Sequence, residues 1–249
     1  MAGFPSLTDH LLVLLFGWAL PLLSTLQARR TLRRTVFSEP VRRSFHLANS
    51  LTIALLGSGV LLAWVWQGRP LSAMGLGSFL PERGRGPVLG LTALVLVLYG
   101  ADLAAGLRRA RRSPEDLQLL VGRTPFLPRH PRELPGYALM CGCAGVFEEV
   151  IYRGFMVTYF LPEASGREGR PVLALVVPAL LFSMAHHYQG GGAVAKIFVL
   201  SVLLALVYVV GGSLGWVMAL HAGIDLAGGL AMMGAARRAD GQRGGMGAD

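Results

Sequence analysis

The chain has 249 residues, of which 53% are hydrophobic and only 15% charged, with a mean hydropathy of +0.53. A soluble domain carries roughly 25% charged residues, so a soluble globular fold is excluded and the length suits about seven or eight membrane spans with short loops. The net charge of +9 does not point to nucleic acid, because the basic residues cluster between apolar runs, as membrane topology demands.

Seven apolar stretches follow one another. They run from about Leu11 to Gln27, Leu47 to Gln67, Pro87 to Leu107, Leu134 to Leu161, Pro171 to Tyr188, Val194 to Val210 and Ser213 to Met233. Each is close to the roughly 20 residues that cross about 30 Å of hydrocarbon. A backbone in lipid must satisfy its own hydrogen bonds, so the spans are expected to be helices and the fold an all-α, polytopic bundle. The segment Ser113 to Leu120 has a Ser N-cap followed by Pro and acids, which predicts a short interfacial helix or the start of an eighth span.

Loop charge predicts the orientation. Arg29, Arg30, Arg33, Arg34, Arg42 and Arg43 follow the first span. Arg108, Arg109, Arg111, Arg112, Arg123, Arg129 and Arg132 follow the third, and Arg237, Arg238 and Arg243 follow the last. Alternating spans place these sixteen on one side, against Arg69, Arg83, Arg85, Arg167 and Arg170 on the other. The positive-inside rule then sets the amino terminus outside and the carboxyl terminus in the cytoplasm, with the inner (plasma) membrane as the expected location. The leader before the first span has no Lys or Arg, so that span is expected to be a retained anchor and not a signal peptide. The Gly-rich end, GQRGGMGAD, is expected to be disordered. Cys141 and Cys143 point about 200° apart on a helix, which suits packing and not a shared bond or metal.

Ionisable side chains inside spans cost about 2.5–3.5 kcal/mol each for Asp, Lys or Arg at mid-helix. Here Glu148, Glu149 and Arg153 fall in the fourth stretch, His186 and His187 end the fifth, and His221 and Asp225 lie in the seventh. So many in three helices indicate a site. Asp102, near the end of the third stretch, is expected to pair with neighbouring arginines. Glu149 and Arg153 are i, i+4 with the acid first, the favourable order for pairing. That leaves Glu148 as the freer carboxylate, a candidate to take a proton from water. His221 and Asp225 are also i, i+4, so a carboxylate can set the imidazole tautomer. Phe182 and His186 share one stripe, with Tyr152 and Phe182 expected to shape the pocket. Water held between Glu148 and His186 is a candidate nucleophile, and His221 a candidate stabiliser of the oxyanion.

The three elements Glu148-Glu149-x-x-x-Arg153, Phe182-x-x-x-His186 and His221-x-x-x-Asp225, in this order on apolar helices, resemble the motifs of the CPBP family. That family comprises CAAX prenyl endopeptidases of the Rce1 type and bacteriocin-processing or immunity (Abi) proteins. The text FEEVIYRGF, LLFSMAHHYQGG and GGSLGWVMALHAGID agrees with it. The resemblance covers about Leu134 to Gly229. It implies an intramembrane glutamic-type endopeptidase in which Glu148 and His186 activate water and His221 and Asp225 stabilise the oxyanion, with Glu149 and Arg153 in support. The last motif often ends in Asn; an ionised Asp225 cannot donate a hydrogen bond, so Asp225 is either protonated or orients His221.

The resulting division is 1–133 for amino-terminal helices and basic loops, 134–234 for a catalytic membrane core and 235–249 for a cytoplasmic tail. No cofactor is expected. The sharper alternative is zinc held by Glu148, His186 and His221, although no H-E-x-x-H pattern is present. Expected partners are the bilayer and a membrane-associated protein or peptide, cut in a leader, a sorting tail or a CAAX-like tail, and no nucleic acid. Two other readings use the same residues: a proton- or ion-coupled transporter, and a non-catalytic peptide-binding immunity protein. Paired inverted halves, which a transporter would favour, are not visible in the sequence.

Overall fold

A computed structural model of the chain describes residues 4–26, 35–81, 83–161 and 171–245. Among the described residues there are helices and turns but no strand. Arg29, Arg30, Arg33, Arg34, Arg167 and Arg170 lie outside them.

The helices are α1 (Leu7–Leu26), α2 (Glu39–Trp66), α3 (Arg85–Arg112), α4 (Pro114–Arg123), α5 (Pro131–Phe160), α6 (Pro171–Ala185), α7 (Gly191–Gly211) and α8 (Leu214–Gly245). All of them except α4 and α6 are long and apolar enough to cross a membrane. The chain is thus a multi-pass membrane protein with an all-helical bundle fold. In α5, 44% of the apolar window is buried, against 11–28% in the other long helices. It is the central helix, and every residue from Val150 to Val157 is buried.

The exceptions have local causes. Ser113 adopts an extended backbone and accepts from the amide of Asp116, ending α3 and capping α4, whose first residue is Pro114. Ten residues make α4 about 15 Å long, too short to cross the hydrocarbon as an eighth span. Its Leu117 joins Ala110, Met232, Ala235 and Ala236, tying the ends of α3 and α8 together. The fifth apolar stretch, expected to reach Tyr188, stays helical only to Ala185. There the chain turns through a 3-10 segment, His187–Gln189, and Gly190 at φ +96° opens α7. At 15 residues α6 is about 22 Å long, shorter than the roughly 30 Å of hydrocarbon. At the other extreme, α8 stays helical to Gly245, into the tail expected to lack structure.

The bundle has two distinct ends. At one, the capping box of α1 doubles as an ion-pair site. Ser6 and Asp9 cap each other's backbone, and both oxygens of Asp9 accept from Arg69, at 2.8 and 2.7 Å. Gln67 Oε1 accepts from Ser6 and Arg69, and the guanidinium lies over the rings of Phe4 and Trp64. At the arginine-rich end, Arg42 pairs with buried Glu133 at 2.8 Å, while the other oxygen of Glu133 accepts the amides of Arg129 and His130. Arg237 donates to the carbonyl of Arg129.

Candidate functional site

The site begins with a departure from α-helical winding. Within α5, Ala144–Glu148 and Val150–Val157 are wound as π-helix, with i to i+5 hydrogen bonds. Such turns are rare and often mark functional positions. Of the two glutamates of the first motif, Glu148 ends the first π segment and Glu149 sits between the two. Close approach of α8 depends on Gly145: a Cβ there would lie 2.6 Å from the Cβ of Ala222 and 2.8 Å from the carbonyl oxygen of Met218. The two backbones touch one turn before Glu149 and one residue after His221.

Across this contact Glu149 Oε1 accepts two hydrogen bonds, from Arg153 Nη1 at 2.6 Å and from His221 Nδ1 at 2.7 Å. Glu149 is fully buried. The partner that sets the tautomer of His221 is therefore Glu149 on another helix, and not Asp225 on its own. With Nδ1 donating to a carboxylate, the ring turns Nε2 towards the remaining acids: Asp225 Oδ2 at 3.5 Å and Glu148 Oε2 at 3.9 Å. Glu148 keeps 18% of its side chain exposed and Asp225 40%, against 0% for Glu149. The expectation that Glu148 is the freer carboxylate agrees with this difference.

His186 stands at the broken end of α6. Its Nδ1 lies 2.9 Å from the carbonyl of Phe182, which only accepts, so Nδ1 carries the proton and Nε2 holds the free lone pair. The ring of Phe182 separates and orients the polar groups. It meets His186 at 4.7 Å, His221 edge-on at 6.0 Å and Tyr152 at 4.9 Å between centroids, and Arg153 sits 5.0 Å from its centre. Glu148 lies within electrostatic reach of His186, His221 and Asp225. The three motif helices thus bring their charged residues to one place.

Two neighbours had no signal strong enough to be singled out from the sequence. Ser201 of α7 is buried and accepts from Arg153 Nη2 at 2.8 Å, with its carbonyl at 3.3 Å. A lone hydroxyl in the apolar run IFVLSVLLALV is the only hint of it. Tyr188, in the turn between α6 and α7, accepts from Gln189 at 3.1 Å. Asp102 is not part of the cluster. Its partner is Lys196 of α7, at 2.5 Å, and not the arginines that follow it. Both cysteines are free.

Residues 130–227 match the family model described as type II CAAX prenyl endopeptidase Rce1-like. This segment is Rce1-like. The match spans α5 to the first part of α8 and contains Glu148, Glu149, Arg153, His186, His221 and Asp225. It agrees with the CPBP resemblance of the motifs. No curated protein and no solved structure matches the chain. Among the described residues, the Rce1-like segment holds no group of three or more His, Cys, Asp or Glu side chains placed to bind a metal ion.

Proposed function

We propose that the protein is an intramembrane endopeptidase of the plasma membrane that hydrolyses a peptide bond in a membrane-associated protein or peptide, using water activated by Glu148 and His186. The observation that carries the reading is the single imidazole of His221, locked at Nδ1 by Glu149 and open at Nε2 towards Glu148 and Asp225. A hydrolase of this kind needs a partly accessible base, a fixed hydrogen-bond donor for the oxyanion and a framework that does not reorganise.

In the proposed reaction Glu148 removes a proton from water while the lone pair of His186 Nε2 holds the other. The water oxygen bonds to the carbonyl carbon, and the carbonyl π electrons move to oxygen. His221, protonated at Nε2, donates to that oxyanion, and Asp225 holds the ring against rotation. The C–N bond then breaks as Glu148 returns its proton to the departing amine. Arg153, held by Glu149, Ser201 and the Phe182 face, keeps the buried charge of Glu149 balanced. No metal is needed for this sequence. The placement of the motif residues on apolar helices suits a substrate whose scissile bond sits near a membrane anchor. We place the arginine-rich end, including the carboxyl terminus, in the cytoplasm and the amino terminus outside.

The test is cleavage of candidate membrane-anchored peptides (leaders, sorting tails and CAAX-like tails) by the purified full chain in lipid, followed by mass spectrometry. Wild-type protein is expected to cut, and Glu148→Gln and His186→Ala to be inert. Full activity of Glu148→Gln would overturn the mechanism. Ion flux without hydrolysis would replace the reading by a transporter.

A further inference from the structure

Two tyrosines reach α8 from different helices and close on neighbouring carbonyls of one turn. Tyr99 of α3 donates to the carbonyl of Ile224 at 3.0 Å, and Tyr137 of α5 donates to the carbonyl of Asp225, also at 3.0 Å. In an α-helix those oxygens already accept from the amides of residues 228 and 229. The phenols take the second lone pair of each.

The residues at 228 and 229 are both glycine, and the space explains why. A Cβ on Gly228 would lie 2.2 Å from the Tyr99 hydroxyl oxygen, and one on Gly229 2.1 Å from Cε1 of Tyr137. Gly223 and Gly234 of the same helix have nothing within 4 Å of a built Cβ. Gly228 and Gly229 are therefore the openings through which the two phenols reach the backbone. Tyr137 is itself held: His46 meets its ring edge-on at 5.5 Å, and His46 Nε2 donates to the carbonyl of Phe126 at 2.7 Å.

The gripped turn carries Asp225, and His221 lies one turn before it. Rotation of α8 about its axis would carry His221 Nδ1 away from Glu149 and Nε2 away from Glu148. The geometry points to Tyr99 and Tyr137 as positioning residues that set the rotation of α8, and through it the orientation of His221 and Asp225. The catalytic consequence rests on the endopeptidase reading above; the mechanical one does not.

The experiment uses the full chain in lipid nanodiscs with Tyr99→Phe, Tyr137→Phe, Gly228→Ala, Gly229→Ala and two double variants. The first readout is the ring NMR signal of His221 in histidine-labelled protein, assigned with His221→Ala. It is expected to shift in both Tyr→Phe variants while the melting temperature changes little. Where a cleaved peptide is in hand, kcat is expected to fall about two- to tenfold, as loss of one hydrogen bond implies, with KM unchanged. The double variants supply the signature that general destabilisation would not. At 228 the clash is with the hydroxyl alone, the next atom, Cζ, being 3.6 Å away, so adding Tyr99→Phe to Gly228→Ala is expected to restore the Tyr99→Phe level. At 229 the clash is with ring carbons, so adding Tyr137→Phe to Gly229→Ala is expected to restore nothing. An unmoved His221 signal in both Tyr→Phe variants, or additive defects at 228, would overturn the proposal. Failure of wild-type protein to cut any peptide would count against the endopeptidase reading alone, since the NMR signal and the melting behaviour of the double variants decide the clamp without it.

Discussion

Glu149 and His221 lie 72 positions apart and share a 2.7 Å hydrogen bond, carboxylate to Nδ1, in a fully buried setting. The same oxygen holds Arg153. Removing the charge with Glu149→Gln leaves Arg153 buried opposite a neutral amide, and breaking a buried pair costs about 3–5 kcal/mol. Thermal melts of the purified protein are expected to show a large loss of stability together with loss of cleavage. Glu148→Gln, by contrast, alters a partly exposed acid that faces His221 Nε2 at 3.9 Å. It is expected to melt like wild type and cut nothing. Equal destabilisation by both substitutions would contradict the division of labour between the two glutamates.

Gly145→Ala tests the contact that brings the motifs together. The new methyl would meet the Ala222 Cβ, the Ala222 amide nitrogen and the Met218 carbonyl oxygen, all within 2.8 Å, and backbone does not step aside as a flexible side chain does. Overpacking typically costs about 1–3 kcal/mol. Gly142→Ala, one turn earlier on the same helix with nothing within 4 Å, is the control and is expected to be neutral or slightly stabilising. Melting temperature and cleavage rate, measured for both, are expected to drop only for Gly145→Ala.

The ion pair at the far end of the bundle is expected to behave differently. Arg69→Ala removes the partner of both oxygens of Asp9 and the cation over Phe4 and Trp64. It is expected to destabilise by about 3–5 kcal/mol and to release α1 to proteolysis. Below the lowered melting temperature, kcat is expected to stay near the wild-type value, because no group of this network touches the site. A lost kcat in folded protein would show that α1 has a direct part in catalysis.

Chelators separate the proposed chemistry from a zinc mechanism. Cleavage is expected to persist after prolonged treatment with EDTA or 1,10-phenanthroline. Inhibition that added zinc reverses would assign Glu148, His186 and His221 to a metal.

Much of this was legible along the chain. Apolar length identified membrane helices because hydrocarbon leaves a backbone no other partner. Spacing of four identified Glu149–Arg153, since residues one turn apart meet whatever the rest of the fold does. The Ser113 cap and Pro114 announced α4. The winding was not legible: no residue type in FEEVIYRGF demands the π-turns of α5. The end of α6 was misplaced because Tyr188 and Gln189 continue a plausible span, while the run of glycines at 190–192 permits the chain to turn earlier.

What the sequence by itself determined is the set of polar groups in the membrane and their neighbours on the same helix, because helical geometry is local. Which helix each group turns towards was decided only by the tertiary structure. His221 has an acid four residues away, yet it is Glu149 that holds its Nδ1, because the touching backbones at Gly145 and Ala222 set the two helices face to face. Asp102 is followed by a row of arginines but pairs with Lys196 of α7. Contacts between helices depend on their rotation and closest approach, and these are properties of the whole packed bundle.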